Sequence, residues 1–118
     1  MNIDGKTRLL GLLGDPVEHT MSPVIHNTLS DVLGFNEVYV PFHTTSEGLK
    51  SAVKGAYELN ILGMNATVPH KNAVMDMLVD IDAGAKAIGA VNTLVRVEGG
   101  YKGYNTDMMG LSRELDVY

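Results

Sequence analysis

The sequence predicts an α/β protein built on a layered mixed sheet, with three parallel βα units followed by an antiparallel hairpin. Three observations predict it. Short apolar runs alternate three times with stretches whose apolar residues recur at helical spacing. Proline, glycine or a capping hydroxyl marks the exchanges between them. Late in the chain, Glu98-Gly99-Gly100 separates two strand-like runs, the pattern of a hairpin.

Each element has its own warrant. Arg8–Leu13 is an apolar run closed by Gly14-Asp15-Pro16, hence a buried strand. Ser22-Pro23 opens a helix, with Ser as N-cap and Pro at the first helical position. Ile25, Leu29, Val32 and Leu33 form its apolar stripe and Gly34 closes it. Glu37–Phe42 is the second strand. Ser46 caps the second helix, in which Leu49, Ala52, Val53, Ala56 and Tyr57 stand at helical spacing. Ile61–Val68 is the third strand, because Pro69 cannot carry a central strand onward. Helix Asn72–Leu78 follows, then a short helix near Asp82–Ile88 ending at Gly89. Val91–Val97 and Tyr101–Tyr104 are the arms of the hairpin, and Thr106 caps a last helix. The first three strands are then parallel with right-handed crossovers, and the hairpin adds an antiparallel edge.

Composition bounds the function. A length of 118 residues with 45% hydrophobic content makes residues 1–118 one small domain with its own core. A net charge of −5 with 9 Lys+Arg argues against nucleic acid, and Lys86, Arg96, Lys102 and Arg113 are too scattered to form a basic patch. Zero cysteines exclude a disulfide scaffold and thiolate metal sites. Leu9–Leu13 is too short for a membrane span and lacks a cleavage signal, so the chain reads as soluble and cytoplasmic.

Four junctions carry more polar groups than turns require: Thr20-Met21-Ser22-Pro23, Asn65–Lys71, Gly89-Ala90-Val91-Asn92-Thr93 and Asn105-Thr106-Asp107. In a strand, Asn65 and Thr67 face the same way. Parallel strands bring their carboxyl ends to one edge, where ligands bind in open α/β sheets, so the first, second and fourth junctions converge there. Each residue also has a plainer reading: Ser22 as a helix cap, Asp107 as a charge favouring a helix dipole, Asn92 as a turn residue capping Gly89, Lys71 as a solvated lysine. The last is weakest, since a first helical turn favours an acid over a base. Asn65, Thr67 and the oddly placed Lys71 at the carboxyl end of a strand read as a site for a polar ligand.

Other chemistries fall away. His19, His26, His43 and His70 have no metal-triad spacing, so no metal is expected. His26 reads as a hydrogen-bonded packing residue. Met75/Met77 and Met108/Met109 read as core fill. Ser22 lacks the setting of a nucleophile, and neither G-x-G-x-x-G nor a P-loop occurs, so no cofactor is expected on this chain alone.

Taken in order and spacing, Ser22-Pro23 with His26-Asn27, then Asn65-x-Thr67-x-Pro69-x-Lys71, Gly89-Ala90-Val91-Asn92-Thr93 and Asn105-Thr106-Asp107 resemble the N-terminal substrate-binding domain of the shikimate dehydrogenase family, quinate/shikimate relatives included. The resemblance runs from about Leu9 to Leu115. It implies an oxidoreductase of aromatic amino acid biosynthesis, with NADPH reversibly reducing 3-dehydroshikimate to shikimate. It implies Lys71 as the catalytic lysine and Asp107 as its acidic partner and a hydroxyl ligand. Asn92, Thr67 and Asn65 are implied as further hydroxyl ligands, and Thr20 and Ser22 as the pair holding the substrate carboxylate. Thr20 stands where the family usually has Ser, and its methyl narrows the pocket and bears on shikimate-versus-quinate preference. The family's Rossmann domain, with its NADP loop, is absent from these 118 residues.

Three readings follow. The chain is the substrate half of an NADP-dependent dehydrogenase, acting as a homodimer or with a separate cofactor-domain chain; or a stand-alone binding or regulatory module for shikimate or quinate; or an interaction domain whose polar junctions are caps. Lys71 and Asp107 favour the first, because binding alone requires no proton-transfer pair.

Overall fold

A computed structural model of the chain describes residues 2–107. The apolar run becomes β1 (Arg8–Gly14), which pairs in parallel with β2 (Glu37–His43) on one side and β3 (Gly63–Ala66) on the other. Between them lie α1 (Ser22–Leu33) and α2 (Leu49–Glu58). After β3 come a four-residue helix α3 (His70–Ala73), a 3₁₀ turn (Val74–Met77), β4 (Asp80–Ile81), α4 (Ala83–Ile88) and the hairpin β5 (Thr93–Val97) and β6 (Gly100–Tyr104). The sheet order is β2-β1-β3-β5-β6-β4. β5 runs antiparallel to both β3 and β6, so the mixed sheet stands as the alternation predicts. Leu49, Val53 and Ala56 of α2 join Leu13, Met64, Leu94 and Tyr101 of the sheet in one buried cluster.

Several expectations need correction. The hairpin does not end the sheet: β4, a two-residue strand, pairs in parallel outside β6. Two residues carry no readable period, so sequence alone does not reveal such a strand. β3 stops at Ala66 rather than Val68, although Thr67 N–H still donates to the Leu13 carbonyl at 3.0 Å. The helix expected over Asn72–Leu78 begins at His70 and tightens to 3₁₀ at Val74, because so short a segment cannot sustain a cooperative α-helix. Ser46 does not cap the second helix, whose N-cap position is Gly48 with no side-chain cap; Thr45 Oγ1 accepts from Gly48 N–H at 3.1 Å in the turn that leads into it. Asp82 does cap α4, accepting from Gly84 N–H at 3.1 Å, and Gly34 and Gly89 end their helices in the left-handed conformation. The last helix expected from Thr106 lies, after Asp107, outside the described residues.

The largest departure is α1. Its apolar stripe faces outward: Ile25 is 61% exposed and Val32 77%. Periodicity identifies a face but not what covers it. The helix is held by polar contacts instead. The Asn27 side chain donates to the Tyr39 carbonyl at 2.9 Å and accepts from its N–H at 2.8 Å, and the His26 ring stacks on Tyr39 at 4.3 Å. His26 is thus exposed and stacking, with no hydrogen bond of its own among the described residues. The paired Asn27 bonds also block part of the free edge of β2, a device that discourages edge-to-edge association. Asn27→Ala removes both bonds, each worth about 0.5–1.5 kcal/mol net. A loss of about 1–3 kcal/mol in denaturant unfolding is expected; a loss near zero would mean water replaces the amide fully.

Candidate functional site

All four polar junctions arrive at one edge of the sheet. β1 and β3 end there, delivering Thr20 and Ser22 after one strand and Thr67 to Lys71 after the other. β6 also ends there, leading to Asn105, Thr106 and Asp107. The Gly89–Thr93 junction joins them for a reason the alternation did not predict. β5 is antiparallel, so its first residue, Thr93, lies opposite both Asn65 and Tyr104 at that same edge.

Hydrogen bonds lace the junctions together. Ala66 N–H donates to the Asn92 carbonyl at 2.9 Å, Val91 N–H to the Lys71 carbonyl at 2.9 Å, and Asp15 N–H to the Val68 carbonyl at 3.2 Å. Asn92 Oδ1 accepts from three donors: Thr93 Oγ1 at 3.0 Å, Thr106 N–H at 2.9 Å and Thr106 Oγ1 at 3.2 Å. Asn92 therefore caps no turn at Gly89, whose carbonyl instead accepts from Asn72 Nδ2 at 2.6 Å. Asn92 Nδ2 has no hydrogen-bond partner among the described residues. Thr67 is set by close packing: a Cβ at Gly14 would lie 2.5 Å from Thr67 Cγ2, so only glycine lets the threonine methyl sit there.

Ser22 does not cap α1. It is the first helical residue, the N-cap position is Met21, and no side chain caps the helix. Thr20 Oγ1 accepts from Ser22 N–H at 3.3 Å, which leaves the hydrogens of both hydroxyls without a partner among the described residues. Lys71 is half-buried, and its Nζ forms no hydrogen bond or ion pair among these residues. Asp107 is exposed and forms no ion pair with Lys71.

Asn65 is the exception. Its Oδ1 accepts from Tyr39 Oη at 2.9 Å, and its Nδ2 donates to the Asn92 carbonyl at 3.3 Å and to Thr93 Oγ1 at 3.2 Å. With both donors used, Asn65 holds the β3–β5 junction in place. Burial raises the Tyr39 phenol to about 12, so its hydroxyl remains a donor to Asn65. Tyr39, Thr93 and Thr106 were not among the predicted site residues. The only sequence signal for Tyr39 is a hydroxyl-bearing aromatic amid apolar neighbours in a strand.

Among the described residues, no group of three His, Asp or Glu side chains is placed to hold a metal ion, and no helix is long and apolar enough to cross a membrane.

Residues 12–94 match the family model described as the shikimate dehydrogenase substrate binding domain. A shikimate dehydrogenase (NADP(+)) of Methanococcus maripaludis strain C7 is 52% identical over 115 residues, covering 97% of this chain and 41% of the relative. One from Gloeothece citriformis is 47% identical over 113 residues, covering 96% of this chain and 39% of the relative. A solved shikimate dehydrogenase in complex with NADP+ superposes with a TM-score of 0.90 at 45% identity, over 98% of this chain and 40% of its own. The Listeria monocytogenes enzyme, solved with shikimate and NAD, gives 0.90 at 35% identity over 98% and 40%. The chain thus spans about two fifths of the length of the relatives it matches.

Proposed function

The chain belongs to the family of shikimate dehydrogenase substrate-binding domains, and we propose that it forms the substrate-binding half of an NADP-dependent enzyme interconverting 3-dehydroshikimate and shikimate. The observation that carries the reading is the pattern of spent and unspent hydrogen-bonding groups at one sheet edge. The hydroxyl hydrogens of Thr20 and Ser22, the Thr67 hydroxyl, Asn92 Nδ2 and Lys71 Nζ have no partner there among the described residues, while Asn65, Thr93 and Thr106 are bonded to their neighbours. A row of unpaired donors backed by a bonded frame suits a ligand with a carboxylate and several hydroxyls.

In this reading Thr20 and Ser22 donate to the carboxylate, Thr67 and Asn92 bind ring hydroxyls, and Asn65 positions Asn92. Lys71 Nζ exchanges a proton with the reacting oxygen, and Asp107 binds the adjacent hydroxyl and balances the lysine's charge. The described residues do not fit an NADP pyrophosphate. Of the two longer helices, α1 loses a first-turn donor to Pro23 and α2 opens from a Thr45–Gly48 turn with no glycine-rich loop. The cofactor belongs to a part of the enzyme outside this chain, and its hydride chemistry is supplied there.

Shikimate titrated into the chain tests the reading. A hydrogen bond to a charged group is worth about 1.5–3 kcal/mol, so Ser22→Ala is expected to weaken shikimate binding by roughly ten-fold or more. Since Ser22 caps nothing, the unfolding free energy is expected to stay within about 0.5 kcal/mol of wild type. Unchanged affinity for shikimate in the variant would remove Ser22 from the site.

A further inference from the structure

His70 is fully buried and the proposed chemistry does not use it. Its Nε2 donates to the Thr44 carbonyl, so Nε2 carries the hydrogen and Nδ1 presents a bare lone pair. Nδ1 is buried and has no hydrogen-bond partner among the described residues. A buried acceptor without a donor is a cost that an apolar side chain of similar volume avoids. What imidazole adds over such a side chain is one directional bond.

That bond joins two particular places. Thr44 is itself buried and fixed: its N–H donates to the Gly14 carbonyl at 2.9 Å, and its Oγ1 to the Phe42 carbonyl at 3.1 Å. Gly14 ends β1, the strand that leads to Thr20 and Ser22, and its missing side chain makes room for Thr67. On the other side of the bond is α3, four residues long and unable to hold its direction by helical cooperativity. Lys71 follows His70 directly. Its own carbonyl is held by Val91 N–H at 2.9 Å, and Asn72 Nδ2 binds the Gly89 carbonyl at 2.6 Å. The segment is therefore pinned towards the start of β5 by two bonds, and just before α3 to the end of β1 by the Thr67–Leu13 and Asp15–Val68 backbone bonds. Within α3 itself the bond on that side is the one from His70 to Thr44, which follows β2 and is tied to Gly14.

We propose that His70 is a positioning residue: as a neutral imidazole donating from Nε2 to Thr44, it fixes the start of α3 against the end of β1 and so aims Lys71 into the site. The purpose of the positioning rests on the reading of Lys71 given above; the positioning itself is measurable without substrate.

The experiment is trace acetylation of the 118-residue chain with acetic anhydride, read lysine by lysine in a mass spectrometer. Lys50 and Lys54, exposed on α2, serve as internal references, against which half-buried Lys71 is expected to react slowly. His70→Gln places an amide donor near the Nε2 position, whereas His70→Met keeps volume without a donor. Net loss of one hydrogen bond sets a scale of about 2–10-fold, so His70→Met is expected to raise the Lys71 rate by that factor over the references. His70→Gln is expected to restore it to near wild type. A side chain that merely fills the core predicts no change in either variant, or the same change in both, and either result overturns the proposal. If His70→Met does not fold, ring-nitrogen NMR of the wild type decides: Nε2 protonated with Nδ1 bare supports the proposal, and any other state at neutral pH overturns it. Saturating shikimate added to the wild type separates the two readings. Lys71 rates that depend on His70 but are not slowed by shikimate would sink the functional reading and leave the positioning intact.

Discussion

Lys71→Ala, measured in the chain joined to the cofactor-binding part of a relative, is expected to lower kcat by roughly 10²–10⁴-fold, the share of a positioned acid–base group. The expectation starts from the lysine's surroundings. Its backbone is pinned by Val91, its neighbour His70 by Thr44, and its Nζ meets no protein partner among the described residues. An amine held at its base and free at its tip can move a proton without first breaking an internal bond. KM is expected to change far less, because the substrate ligands proposed at Thr20, Ser22, Thr67 and Asn92 remain in place. The split between the two constants is the test. A variant with intact kcat and a greatly raised KM would show Lys71 to be a substrate ligand and nothing more.

How much of this was legible in the sequence depended on how far apart the interacting residues lie. β1 was legible because a continuous apolar run between turn signals is a buried strand in any context, and the order of the four polar junctions was legible because motifs are local. The convergence of three junctions followed from parallel strands; that of the Gly89–Thr93 junction did not, because it turns on β5 pairing antiparallel with β3. Asn65 shows the limit well. It stood beside Thr67 as one more short polar side chain. Its amide is in fact committed to Tyr39, twenty-six positions earlier, and to Asn92 and Thr93, about as far ahead. Ser22 erred in the opposite direction: Ser-Pro before an apolar stripe is a strong capping signal, yet the helix begins at the serine itself and frees its hydroxyl. Thr45, one residue before the expected Ser46, took over the turn into α2 because either hydroxyl satisfies the local pattern and only backbone geometry chooses. The exposed stripe of α1 was illegible in principle, since a hydrophobic face records that something covers it and not what.

The 118-residue chain by itself is expected to fold cooperatively, to bind shikimate weakly and to give no turnover with NADP. Folding follows from one continuous buried cluster that ties α2 to β1, β3, β5 and β6 or their flanks, with Leu49, Val74, Val91 and Leu94 wholly out of solvent. Binding survives because the unpaired donors are carried by this chain, but the frame supplies one wall of a site and leaves water on the other. A ligand that keeps much of its hydration gains little from each new hydrogen bond, which places the dissociation constant on the order of millimolar. Turnover fails for a different reason. Hydride transfer requires a nicotinamide held against the reacting carbon in a positioned, water-poor site. Neither of the longer helices offers an N-terminus with a glycine-rich loop to cradle the pyrophosphate that carries it. The measurement is absorbance of reduced cofactor with purified chain, NADP and shikimate, run beside a titration of shikimate alone. Turnover from chain free of any longer dehydrogenase would overturn the assignment of the cofactor to another part of the enzyme. Absence of both turnover and binding would instead remove the sheet edge as a shikimate site.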